Sequence, residues 1–92
     1  MRRHFAYDQT TRMLAITHGE EDLRLSVFLF DETLTDLRRH GSPIFLREWY
    51  NRAPDLVNIC FQSGRVSPEL CFVEATGRIR IFSLKTQMFR CV

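Results

Sequence analysis

The chain is built almost entirely of short apolar runs, none long enough for more than one strand and each closed by turn-forming residues. The runs cover residues 4–8, 12–17, 23–30, 43–49, 56–61, 69–74, 78–84 and 87–92. Between them stand Gln-Thr-Thr, His-Gly-Glu-Glu-Asp, His-Gly-Ser-Pro, Ala-Pro-Asp, Ser-Gly and Ala-Thr-Gly, residues that accept the dihedral angles of tight turns. Eight strands at roughly ten-residue spacing predict an all-β protein. The exception is 31–40. Asp31 can cap a helix, acidic residues follow it, basic residues close it, and Gly41 comes next, so a short helical turn is predicted there as the alternative to an irregular loop.

The second half of the chain repeats the first in order and type. Phe5-Ala6-Tyr7-Asp8 corresponds to Ile59-Cys60-Phe61-Gln62, and Arg12-Met13-Leu14-Ala15-Ile16 to Pro68-Glu69-Leu70-Cys71-Phe72. Leu25-Ser26-Val27-Phe28-Leu29 corresponds to Ile79-Arg80-Ile81-Phe82-Ser83. The offsets are 54, 56 and 54 residues, drifting only where turns differ in length. Residues 43–49 would close the first unit and 87–92 the second. The expected organisation is therefore two successive four-stranded antiparallel units, 1–50 and 51–92.

Leu70-Cys71-Phe72-Val73 carries no polar side chain in either alternation phase, so both faces of that strand are expected to be covered. The closing strands mix charge with bulk, as in Phe45 and Arg47 or Phe89 and Arg90. Sandwiched inner strands with a half-wet outer strand describe a propeller blade, and a single small β-sandwich or barrel is the competing architecture.

The stretch from Val57 to Gln87, with VNICFQSG followed by PELCFVEATGRIRIFSLKTQ, resembles a WD40-type β-propeller repeat. MLAIT and LSVFLFD carry the likeness more loosely into the first half. Phe82-Ser83 stands where that family has Trp-Asp, with Phe28-Leu29 or Phe30-Asp31 in the first unit. Neither unit has Gly-His, and Thr76 precedes Gly77 where the family often has Asp. The resemblance implies a rigid platform for protein, peptide or nucleic-acid partners. Two blades do not close a ring, so it also implies further blades from the same or another chain. A chain complete at this length would then be a homo-oligomer.

Chemistry-bearing motifs are sparse. Cys60, Cys71 and Cys91 lie in apolar runs and read as buried structural thiols of a reducing compartment, cytosolic or nuclear. No Gly-x-Ser-x-Gly surrounds a serine, and the four glycines are scattered singly, so neither a nucleophile nor a phosphate cradle is indicated. His18 with Glu20, Glu21 and Asp22 is the one cluster with metal-ligand types, and it reads as a solvated hairpin tip; His4 and His40 are isolated. No cofactor, metal site, catalytic residue or membrane span is expected, and the protein is read as a non-catalytic interaction or scaffold module. Its candidate protein-contact residues are Trp49, Tyr50, Arg38, Arg39, Arg47, Phe28 and Phe82. Aromatic and arginine side chains concentrate binding energy in interfaces. The alternative partner is nucleic acid, held along a basic edge of Arg38, Arg39, His40, Arg47 and Arg52 beside Trp49 and Tyr50 and interrupted by Asp31, Asp36 and Glu48. A formal net charge of +2 argues for neither class by itself.

Overall fold

A computed structural model describes residues 3–19, 23–46, 56–62 and 67–92. The fold is all-β, with no helix among the described residues. The chain divides into two compact units, Met1–Pro54 and Asp55–Val92.

The first unit holds β1 (His4–Asp8), β2 (Met13–His18), β3 (Arg24–Phe30), β4 (Leu37–Arg39) and β5 (Ile44–Phe45) in one antiparallel sheet. The strands follow one another in the order β1-β2-β3-β4, and β5 also pairs with β3. The β1–β2 turn is closed by the Asp8 carboxylate, which accepts hydrogen bonds from the Thr11 amide (3.2 Å) and hydroxyl (2.6 Å). Arg12 leaves this turn with φ of 61°, a left-handed conformation that costs an L-residue about 1–2 kcal/mol. Two bonds to β3 oppose that cost: Phe30 donates its amide to the Arg12 carbonyl (3.0 Å), and Arg12 Nε donates to the Phe30 carbonyl (3.2 Å).

The segment 31–40 forms a hairpin loop and a strand; of the two readings left open for it, the helical turn does not form. The Asp31 carboxylate accepts from the amides of Thr35 (2.9 Å) and Asp36 (3.1 Å) and from the hydroxyls of Thr33 and Thr35. The Asp31 amide donates to the Asp36 carbonyl (3.1 Å), and Leu34 sits at φ of 58°. A capping residue whose carboxylate folds over its own loop competes with helix formation. The fourth strand is therefore built from two pieces, where the sequence placed a single run at 43–49. β4 pairs Leu37 with Phe30 and Arg39 with Phe28, and β5 pairs Ile44 with Leu25 and Phe45 with Arg24. Between the pieces the register slips by two residues at a bulge containing Gly41, at φ of 79°, and Pro43, which has no amide to donate. The His40 amide bonds Val27 (2.7 Å) before the bulge, and the Leu46 amide bonds Leu23 (2.9 Å) after it.

The second unit is an antiparallel meander of β6 (Leu56–Gln62), β7 (Glu69–Glu74), β8 (Ile79–Ser83) and β9 (Met88–Cys91). Gly77 at φ of 91° makes the β7–β8 turn, where its amide bonds the Glu74 carbonyl (2.9 Å). The Ala-Thr-Gly punctuation is thus a hairpin. One face carries Ile59, Leu70, Phe72 and Phe82, all buried, with Phe89 completing an aromatic cluster. Ring centroids lie 5.2 Å apart for Phe72–Phe89 and 4.7 Å for Phe82–Phe89, edge-on or tilted as ring quadrupoles prefer.

On the other face Cys71 and Val73 are half-buried, so the apolar run of β7 is fully covered on one side only. Glu69 lies on that side, buried, and its carboxylate accepts from both terminal nitrogens of the Arg90 guanidinium. Arg80 is half-buried and pairs with Glu74 at 3.3 Å, on β8, an inner strand of the sheet.

Candidate functional site

The two faces of the first sheet differ sharply. One carries Ala6, Ala15, Thr17, Leu25 and Val27, all buried, and the Thr17 hydroxyl accepts the His4 amide (3.1 Å). Strict alternation then sends the intervening side chains to the opposite face. Across the strands they fall in rows: Tyr7–Leu14–Phe28–Arg39, Phe5–Ile16–Ser26, and His18–Arg24–Phe45, with Phe30–Leu37 beyond.

This face is apolar and open. Phe5 is 58% exposed, Phe45 51%, Tyr7 44% and Leu37 41%, while Leu14, Ile16, Phe28 and Phe30 are half-buried between them. Tyr7 meets Phe30 edge-on at 5.8 Å. Contiguous exposed apolar surface of this kind marks contact sites.

Arginines stand over the rings. Arg24 Cζ lies 4.9 Å from the centre of Phe45, and Arg39 Cζ lies 5.4 Å from that of Phe28. Toward the Arg24–Phe45 end of the face His18 Nε2 and Ser26 Oγ are hydrogen-bonded at 2.8 Å. Burial, followed by the positive charges of Arg24, Arg3 and Arg39, holds the His18 pKa below its ordinary value. No Asp or Glu occurs among the described residues of these rows. In the loop from Asp31 to Asp36 the Asp31 carboxylate is taken up by the loop's own amides and hydroxyls.

Of the residues singled out from the sequence, Phe28 and Arg39 belong to this face. Arg38 is exposed but pairs with Leu29, on the opposite side of the sheet, so the two adjacent arginines do not make one patch. Phe82 is corrected outright: it is 0% exposed, in the core of the second unit, with no surface for a partner. Arg47, Trp49, Tyr50 and Arg52 lie outside the described residues, as do Glu20, Glu21 and Asp22. The sequence reading missed Phe5, Tyr7, Arg24, His18 and Phe45. Their signal was present as same-phase aromatic and basic residues in each strand, but only the register joins them.

The thiols also differ from expectation. Cys60 and Cys91 are exposed and Cys71 is half-buried, because Cys60 and Cys71 face each other across β6 and β7 on the less covered side. Burial and the neighbouring Cys60 and Glu69 push the Cys71 thiol up, opposite to the shift that activates a nucleophile. Among the described residues no three His, Cys, Asp or Glu side chains converge to hold a metal ion, and no helix is long and apolar enough to cross a membrane. Comparisons with protein-family models, curated proteins and solved structures returned no match.

Proposed function

We propose that this chain is a non-catalytic binding module whose working surface is the aromatic, arginine-bearing face of the first sheet. The observation that carries the reading is the joint exposure of Phe5, Tyr7, Leu37 and Phe45 on one side of a sheet whose other side holds the buried Ala6, Ala15, Thr17, Leu25 and Val27. Leaving that much apolar surface in water is unfavourable unless a partner covers it, at roughly 25 cal/mol for each Å². The architecture proposed for the two units is the propeller-like blade of the WD40 type, supported by the meander order in each sheet. Assembly with further copies or chains would follow from that architecture. Three free cysteines suit a reducing compartment.

The experiment is site-specific photo-cross-linking in cells that make the protein, with a photoreactive phenylalanine at Phe5 or Phe45 and, as the reference, at Met88 in the second unit. Light-dependent adducts of discrete mass are expected from Phe5 and Phe45 and not from Met88. Equal yields at all three positions, or none at the first two, would reject the face as the working surface.

A further inference from the structure

We infer that the partner of this face is single-stranded nucleic acid, bound by stacking of bases on the exposed rings and by phosphate contacts to Arg3, Arg24 and Arg39. The inference rests on the binding-face reading and adds the ligand's chemistry to it.

Three observations select this chemistry. First, rings and guanidinium groups are paired at two places on the face: Arg39 beside Phe28, and Arg24 beside Phe45. Each nucleotide brings one planar base and one negative charge, so the ligand repeats the same pairing. Second, the charge on the described residues of the face is of one sign. Arg24 and Arg39 lie in its rows, the field of Arg3 reaches His18, and no carboxylate stands among the described residues of those rows. Third, the face offers almost no directional hydrogen bonding. His18 and Ser26 bond each other, and the backbone groups of a sheet point along its plane toward neighbouring strands. A peptide that recognises main-chain groups uses a sheet edge. A flat aromatic face with mobile cationic side chains suits a ligand read by stacking and charge. Side chains two residues apart on one strand are separated by about 7 Å, so Phe5 and Tyr7 present successive platforms along β1, and Phe45 stands across the sheet on β5.

The test is fluorescence anisotropy of the full chain with a labelled mixed-sequence single strand of about 12 nucleotides, in the range such platforms cover. Saturable binding is expected, weaker for the matching duplex, with log affinity falling linearly against log salt concentration. Arg24→Ala and Arg39→Ala should each lower that slope by about 0.7, the value of one phosphate contact on a single strand. Phe5→Ala and Phe45→Ala should each weaken binding about 5- to 150-fold at constant salt slope. Both rings are more than half exposed, so these variants keep the fold, which circular dichroism verifies. Absence of binding at low salt, or binding that none of the four substitutions changes, overturns the inference. The photo-cross-links separate the two levels. Adducts at Phe5 and Phe45 that nuclease removes support nucleic acid. Adducts that resist nuclease and yield to protease keep the binding face and reject nucleic acid as its occupant.

Discussion

The Arg24 guanidinium carbon lies 4.9 Å from the centre of the Phe45 ring, directly across from it in the β3–β5 register. The pair joins the short strand after the bulge to the long strand it borders. At an exposed site such a contact contributes about 0.5–1 kcal/mol. Phe45→Ala is therefore expected to shift stability by no more than about 1 kcal/mol in urea denaturation while removing a binding platform. A larger loss would mean that the ring holds the sheet together rather than awaiting a ligand.

Phe82 shows the opposite behaviour. Fully buried and packed against Phe72 and Phe89, it has no solvent-facing surface. Phe82→Ala should cost about 3–5 kcal/mol, a large part of the stability of a small domain, read from the shift in denaturation midpoint. Ligand affinity measured under conditions where the variant remains folded should not change.

His18 makes folding sensitive to acid. Its pKa is depressed in the folded state by burial and by Arg24, Arg3 and Arg39, with Ser26 as its hydrogen-bond partner. Below about pH 6.5 the unfolded chain binds a proton that the folded chain resists, so stability falls as the pH drops through that range and is fully present above it. Thermal melts across the range should show this loss in the native chain and a smaller one in His18→Gln. Equal pH dependence in the two would place the acid sensitivity elsewhere.

Cys60 should react with iodoacetamide under native conditions before Cys71 does. Cys60 is exposed, whereas burial raises the pKa of the Cys71 thiol and lowers its thiolate fraction. The raised folded pKa also means that stability declines as the pH climbs past the ordinary thiol range, since the unfolded thiol ionises first. Peptide mapping after timed labelling gives the order of reaction, and simultaneous modification would contradict the burial difference.

The Asp31 carboxylate organises the β3–β4 loop through two amides and two hydroxyls, and these bonds hold its pKa low. Asp31→Ala should accelerate hydrogen exchange at the Thr35 and Asp36 amides while leaving β2 protected. Unchanged exchange would show that the loop is set by its backbone alone.

Much of the fold was legible in the residues, because alternation and turn chemistry act locally. The run at Glu69–Glu74 and the Ala-Thr-Gly hairpin are where the sequence put them. The segment after Phe30 was not, because Asp31 serves equally as a helix cap and as the anchor of a loop. Only the pairing of Leu37 with Phe30 decides between them. The candidate site was half-legible for a related reason. Phe28 and Arg39 stood out as residue types, but Phe5, Tyr7, Arg24 and Phe45 gain meaning from strand pairing, which composition does not encode. Burial separated Phe28 from Phe82, two phenylalanines in like sequence settings.

The interruption at Gly41 and Pro43 has a consequence in parity. Two extra residues are an even number, so Arg39 before the interruption and Phe45 after it point to the same side, although their hydrogen-bonding frames differ. Removing a single residue there while the bulge keeps its size would shift β5 by one position along β3, turning Phe45 inward opposite Leu25 and Ile44 outward opposite Ser26. An odd length change in this connection acts as an inversion of the surface, and an even one as a translation along it.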